Sequence, residues 1–135
     1  MASILKVDDL RGNTAAGNIT ITSEGGSATM QLQQGVLKQW INMDGSGTIS
    51  VRDSLNNSSI TDNGTGNYTV THTNFFSSAN NAPVIGTGST GARIYPDLAD
   101  SGTVGTSVYG IIAGNASGTL TDARICTGHG AGDLA

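Results

Sequence analysis

The run Ser58-Ser59-Ile60-Thr61-Asp62-Asn63-Gly64-Thr65-Gly66-Asn67-Tyr68-Thr69-Val70-Thr71-His72 decides how the chain folds. Asn63, Gly64 and Gly66 tolerate positive φ, so Asp62–Gly66 reads as the loop of a β-hairpin. After the loop, Tyr68, Val70 and His72 share one parity, and Thr69, Thr71 and Thr73 share the other. That period of two is the mark of a strand with one buried face.

The same punctuation continues outward in both directions. Upstream, Asp44-Gly45-Ser46-Gly47 and Asn56-Asn57 read as turns that bound strands over 36–43 and 48–52. Downstream, strands are expected over 82–85, 92–95 (stopped by Pro96), 104–113 and 119–126, the last two joined by Gly114–Gly118. Near the N-terminus, Asn18-Ile19-Thr20-Ile21-Thr22 alternates as a strand does, and Glu24-Gly25-Gly26-Ser27 reads as a linker. The segment from Ser27 to Gly35 is ambiguous between a short helix and an irregular piece. The expected fold is therefore all-β: an antiparallel β-sandwich of about eight to nine short strands over 27–135. An extended attachment or oligomerisation segment, 1–26, precedes it.

Composition agrees with this. Twenty of the 135 residues are Gly, aromatics are 4% and charged residues 12%. The chain is too poor in charge to read as disordered, and it is rich in Thr, Val and Ile. Large apolar side chains are few. Each contributes roughly 1.5–3 kcal/mol when buried, against a backbone ordering cost of about 1–2 kcal/mol per residue. So thin a core favours completion by further copies of the chain. The net charge is −4, and Lys6, Arg11, Lys38, Arg52, Arg93 and Arg124 are scattered, which makes nucleic acid a poor partner. No run of residues is long and apolar enough to insert in a membrane, and the N-terminus does not look like a signal peptide.

A resemblance adds to this reading. Lys38-Gln39-Trp40-Ile41-Asn42-Met43-Asp44-Gly45, then Arg52-Asp53-Ser54, then Asn57 through Val70, is similar to a domain of tail fibre and fibre-like proteins of bacteriophages, the marine phage type above all. The opening Ser3-Ile4-Leu5-Lys6-Val7-Asp8 and the closing Gly132-Asp133-Leu134-Ala135 resemble the same family. Met43 stands where the family often has Phe, and 86–106 has no counterpart in the pattern. The resemblance implies a non-enzymatic virion structural protein, made in the host cytoplasm and carried on the particle surface. Its implied role is a fibre or fibre-like appendage that attaches to the host. The same small scaffold also suits the alternative of a capsid decoration or cement protein. The implied partners are the chain itself as a homotrimer, other virion proteins of tail or capsid, and a host surface glycan or protein.

Residue roles follow from these two readings. Ile4, Leu5, Val7, Ile19 and Ile21 are expected to serve attachment and oligomerisation. Trp40 and Tyr68 are expected to anchor the core. Arg93, Tyr95 and Asp97, in the Gly-rich stretch 86–106, are the candidate receptor contact.

No catalytic constellation stands out, and no cofactor or metal is expected. Gly86-Thr87-Gly88-Ser89-Thr90-Gly91 spells G-x-G-x-x-G, but no helix start follows it. Asp62 and Asp44 read as turn formers. His129 reads as a mobile C-terminal residue, and Cys126 as a small buried residue. His72 lies on the apolar parity of its strand, leaning towards the core or a subunit interface. There, three-fold symmetry would gather one imidazole per copy around a metal.

Overall fold

The computed structural model describes residues 4–13, 19–22, 25–26, 28–89, 94–97 and 104–135. Two compact units divide the chain, Met1–Val36 and Leu37–Ala135. In the first, β1 (Thr20–Thr22) pairs antiparallel with β2 (Thr29–Gln31), and a 3-10 turn, Leu32–Gly35, follows. Gly25 and Gly26 therefore lie in the connection of a hairpin rather than in a linker between domains. The division falls after Val36, ten residues beyond the boundary expected at 26, because β2 returns to pair with β1.

The second unit is a two-layer antiparallel sandwich. Its strands are β3 (Gln39–Asp44), β4 (Ser50–Leu55), β5 (Asn57–Asp62), β6 (Asn67–His72), β7 (Ala82–Gly88), β8 (Ile94–Asp97), β9 (Val108–Asn115) and β10 (Ile125–Ala131). One sheet has the order β4-β3-β10-β7 and the other β5-β6-β9-β8. The all-β sandwich expected from the turn spacing is thus the observed fold.

The hairpin that decided the reading is present in register, Ile60 opposite Val70 and Asp62 opposite Tyr68. Its turn is closed by Asp62, whose Oδ1 accepts the Gly64 N–H at 2.9 Å. Gly66 adopts φ +66°, and a Cβ there would lie 2.5 Å from the Ala113 carbonyl oxygen, so no other residue fits. The Asn56-Asn57 turn does something different from a hairpin. Asn56 takes φ +58° and carries the chain from one sheet to the other in a single residue. Its side chain donates to the Lys38 and Asn74 carbonyls and accepts from the Asn74 N–H at 2.7 Å. These bonds hold a conformation that non-Gly residues rarely adopt.

The core lies between the sheets. Ile41, Met43 and Cys126 come from one layer, and Tyr68, Val70, Tyr109, Ile111 and Ala113 from the other, with Ala123 from the connection before β10. Tyr68 is fully buried, as expected of a core anchor. Trp40 is not a core anchor. Along β3 the buried positions are Gln39, Ile41 and Met43, so Trp40 has the opposite parity and stands half-buried on the outer face of the sheet. A polar residue, Gln39, occupies the inner position because its Nε2 donates to the Tyr109 hydroxyl at 3.0 Å and to Asn57 Oδ1 at 2.9 Å.

Further differences from the expected strands share one cause. The strand expected over 119–126 is displaced, and His129, read as a mobile residue, stands in the middle of β10 between Gly128 and Gly130. That strand pairs with β3 on one side and β7 on the other. Its inner positions are Cys126, Gly128 and Gly130, the two glycines being required because Tyr109 of the opposite layer and Phe76 of the connection between β6 and β7 press against it. The Tyr109 hydroxyl lies against Gly128, and the Phe76 ring lies 3.2 Å from where a Cβ on Gly130 would sit. Gly86 and Gly88 belong to β7, so the G-x-G-x-x-G run opens inside a strand. Pro96 falls within β8 rather than ending it, which an edge strand permits.

Gly128→Ala is expected to lower stability by about 1–3 kcal/mol through overpacking against Tyr109, whereas Trp40→Ala leaves the sandwich close to wild type. Urea denaturation of both variants, followed by circular dichroism, checks this contrast.

Candidate functional site

The residues expected to make contacts fall in three places. Ile4, Leu5, Val7 and Ile21 are exposed in the first unit, and Ile19 is half-buried. Ile4 and Leu5 are each 78% exposed, and none of the described residues of that unit is buried. Tyr95 and Asp97 lie on β8, the edge strand of its sheet, with Tyr95 opposite Gly114 and Asp97 opposite Ile112. Arg93 lies outside the described residues. Trp40 is displaced from the interior to the outer face of the β4-β3-β10-β7 sheet.

That outer face carries a cluster the sequence did not reveal. Across the sheet, Leu55, Trp40, His129 and Val84 stand in one register row, and Asp53, Asn42, Thr127 and Gly86 in the next. Beyond Asn42, a cavity of about 320 Å³ is lined by Asn42, Arg52, Ser89, Arg124 and Ile125. Arg52 is held by four contacts. Nη2 donates to Asp44 Oδ2 at 2.7 Å and to the Arg124 carbonyl at 2.8 Å. Nη1 donates to the Met43 carbonyl at 2.8 Å and reaches Asn42 Oδ1 at 3.4 Å. Asp44 has its carboxyl held below the usual range by hydrogen bonds from the Ser46 hydroxyl and N–H, with Arg52 and Arg124 adding to the effect.

Two cations that read as scattered, 72 residues apart, are thus neighbours. β3 pairs with β4 on one side and with β10 on the other, and a register shift between Asn42 and Met43 turns Arg52 onto the outer face. The short separation of Asp44 and Arg52 across one hairpin was the available signal; nothing in the sequence announced Arg124.

The interior offers a second polar group. His72 is 2% exposed, and neither ring nitrogen has a hydrogen-bond partner. Its ring packs edge-on against Phe76, with centroids 5.2 Å apart, and lies 5.5 Å from the Tyr109 ring. It is enclosed within its own sandwich, so it does not reach towards a symmetry axis as the metal reading requires. Among the described residues no group of three or more His, Cys, Asp or Glu is placed to hold a metal. Burial pushes the Cys126 thiol up to about 11 and the Tyr109 hydroxyl up to about 12, which leaves both protonated at neutral pH. Cys126 is a packing residue.

Comparison of the chain with protein-family models, with curated proteins and with solved structures gives no match.

Burial lowers the pKa of His72 below its ordinary value near 6.5. The unfolded chain therefore binds a proton more readily than the fold does. The stability that His72 contributes is fully present above about pH 6.5 and is lost as pH falls from there through the lowered folded value. His72→Leu removes two unsatisfied buried nitrogens, and it is expected to be neutral or stabilising at pH 7 and to flatten the acid loss. Thermal unfolding of both proteins between pH 7.5 and 5 measures this.

Proposed function

We propose that the chain is a non-enzymatic structural protein of a bacteriophage particle, a fibre or fibre-like surface appendage that assembles as a homotrimer and touches the host surface. The observation that carries this reading is the contrast between the two units. The sandwich has a closed core. The N-terminal unit has none among its described residues and exposes Ile4, Leu5, Val7, Leu10, Ile21 and Met30. A two-stranded hairpin of three residues a side is marginal alone in water, and apolar side chains so exposed call for a covering surface. Copies of the same hairpin supply one most simply, and three tethered sandwiches then gain avidity from weak individual contacts.

The resemblance of 38–70 and of both chain ends to phage fibre proteins supports the same reading, as does a surface rich in Ser, Thr and Asn. A decoration protein on the capsid shares the assembly logic and differs in copy number, hundreds per particle rather than tens.

Light scattering of the full chain at micromolar concentration is expected to give a trimer. Combining Ile4→Asp, Leu5→Asp and Ile21→Asp is expected to give monomers whose sandwich melts as before. A wild-type monomer overturns the assembly. Labelling of the particle in electron micrographs checks the place, and saturating protein is expected to block phage adsorption.

A further inference from the structure

We propose that the open edge of β5 receives the N-terminal arm of a second copy of the chain, Ile4 to Val7, as an added strand. This rests on the homotrimer reading and names the contact that builds it.

The edge strands of the sandwich are β4, β7, β5 and β8. Natural sheets blunt such edges with proline, with charge or with a local bond that occupies the free backbone. β7 carries Pro83 and β8 carries Pro96, and these two strands also pack against each other. β4 carries Arg52 and Asp53, and its Ser54 N–H is taken by Asp53 Oδ1 at 2.8 Å. From Asn57 to Thr61, β5 has neither charge nor proline. Its register shift lies at its start, between Asn57 and Ser59, and the pairing is regular from Ser59 to Asp62.

The free backbone groups of that edge can be assigned. The Asn63 N–H donates to the Asn67 carbonyl at 2.9 Å, so by alternation Thr61–Thr69 and Ser59–Thr71 are the hydrogen-bonded pairs of the hairpin. The N–H and C=O of Ile60 and Asp62 therefore point away from β6, and nothing meets them among the described residues. Beside them, a slot of about 70 Å³ between the edges of β4 and β5 has Ile41, Val51 and Ile60 on its walls. That is well below the roughly 300 Å³ at which small-molecule sites begin, and it suits an aliphatic side chain.

Such an edge takes an extended backbone with alternating aliphatic side chains. The arm has both. Residues 4–7 lie in no strand, and among the described residues their backbone makes no hydrogen bond. Leu5 and Val7 share a face in an extended chain, and they are 78% and 54% exposed. Laid along β5, that face fills the slot and leaves Lys6 on the other side.

Charge agrees with the fit. Lys6 is the single charge of 4–7 and is in no ion pair among the described residues. Along β4 and β5, Arg52 is matched by Asp44, whereas Asp53 and Asp62 are in no ion pair among the described residues. The arm's cation thus meets edges with two uncompensated carboxylates. Asp8 and Asp9, which those carboxylates repel, follow directly, and the chain bends at Asp8. Every copy has one arm and one open edge, so a closed head-to-tail ring uses all of both.

Photocross-linking of the full chain tests this. Light and heavy-isotope copies, each with a photoreactive benzophenone side chain in place of Asp8, are mixed, irradiated and mapped by mass spectrometry. Cross-links from the arm of one copy to residues 50–62 of a copy of the other isotope are expected. Ser59→Lys combined with Thr61→Lys, both at exposed positions, is expected to abolish them. The same variant is expected to raise the concentration at which trimers dissociate at least about tenfold, with thermal unfolding of the sandwich as in wild type. Cross-links confined to single copies, cross-links running only from arm to arm, or no cross-link to 50–62 overturn the proposal, as do trimers that the lysine variant leaves equally stable. Light scattering reads the parent proposal separately: a trimer whose arms cross-link only one another leaves that reading standing and removes this one, and a wild-type monomer removes both.

Discussion

The sandwich depends on aromatic rings seated on glycines. Tyr68 reaches from β6 across the core so that its hydroxyl meets Gly45, accepting no side chain in its way, and lies 2.9 Å from the Gly45 carbonyl. Tyr109 reaches from β9 to Gly128, and Phe76 packs against Gly130 and Gly132. With few large apolar residues available, the two layers close by matching each large ring to a position with no side chain at all. This is the packing complementarity of a dense interior achieved with a sparse set of residues. It gives the glycine content a role in the core as well as in the turns.

Polar side chains then close the ends of the layers. At one end, Asp122 accepts the Gly66 N–H at 2.7 Å and lies 3.1 Å from the Tyr68 hydroxyl, while the Gly45 N–H donates to the Ala123 carbonyl. Three separate turns are joined there through one carboxylate and one phenol. Burial and the neighbouring Asp122 raise the Tyr68 pKa, so the phenol keeps its proton and remains a donor. At the other end, Asn56 and Asn57 tie the corner between sheets to the carbonyls of Lys38, Trp40 and Asn74. Short amide and carboxyl side chains suit these places because they satisfy backbone groups that no ladder reaches.

How much of this was legible follows from the same packing. The fold class and the central hairpin were readable because turn residues and period-two alternation are local signals. β10 was not, because two of its three inner positions are Gly128 and Gly130, and a strand buried by its neighbours' rings has little apolar pattern of its own. Trp40 was misplaced because size suggests burial, whereas parity places it: Gln39 holds the interior position through bonds to residues 18 and 70 positions away. The Arg52 and Arg124 cluster exists only through the pairing of β3 with both β4 and β10, a long-range event that spacing does not encode.

The strand directions give the sandwich a polarity. Leu37 leads into β3 beside Gly130, and Ala135 donates its N–H to Phe75, so the unit begins and finishes at one end. The opposite end carries the turns after β3, β5 and β9, each closed by its own local hydrogen bonds. Those tips can therefore be lengthened or rewritten one at a time while the base and the strand pairing stay unchanged, so that the two ends of the sandwich are free to vary independently.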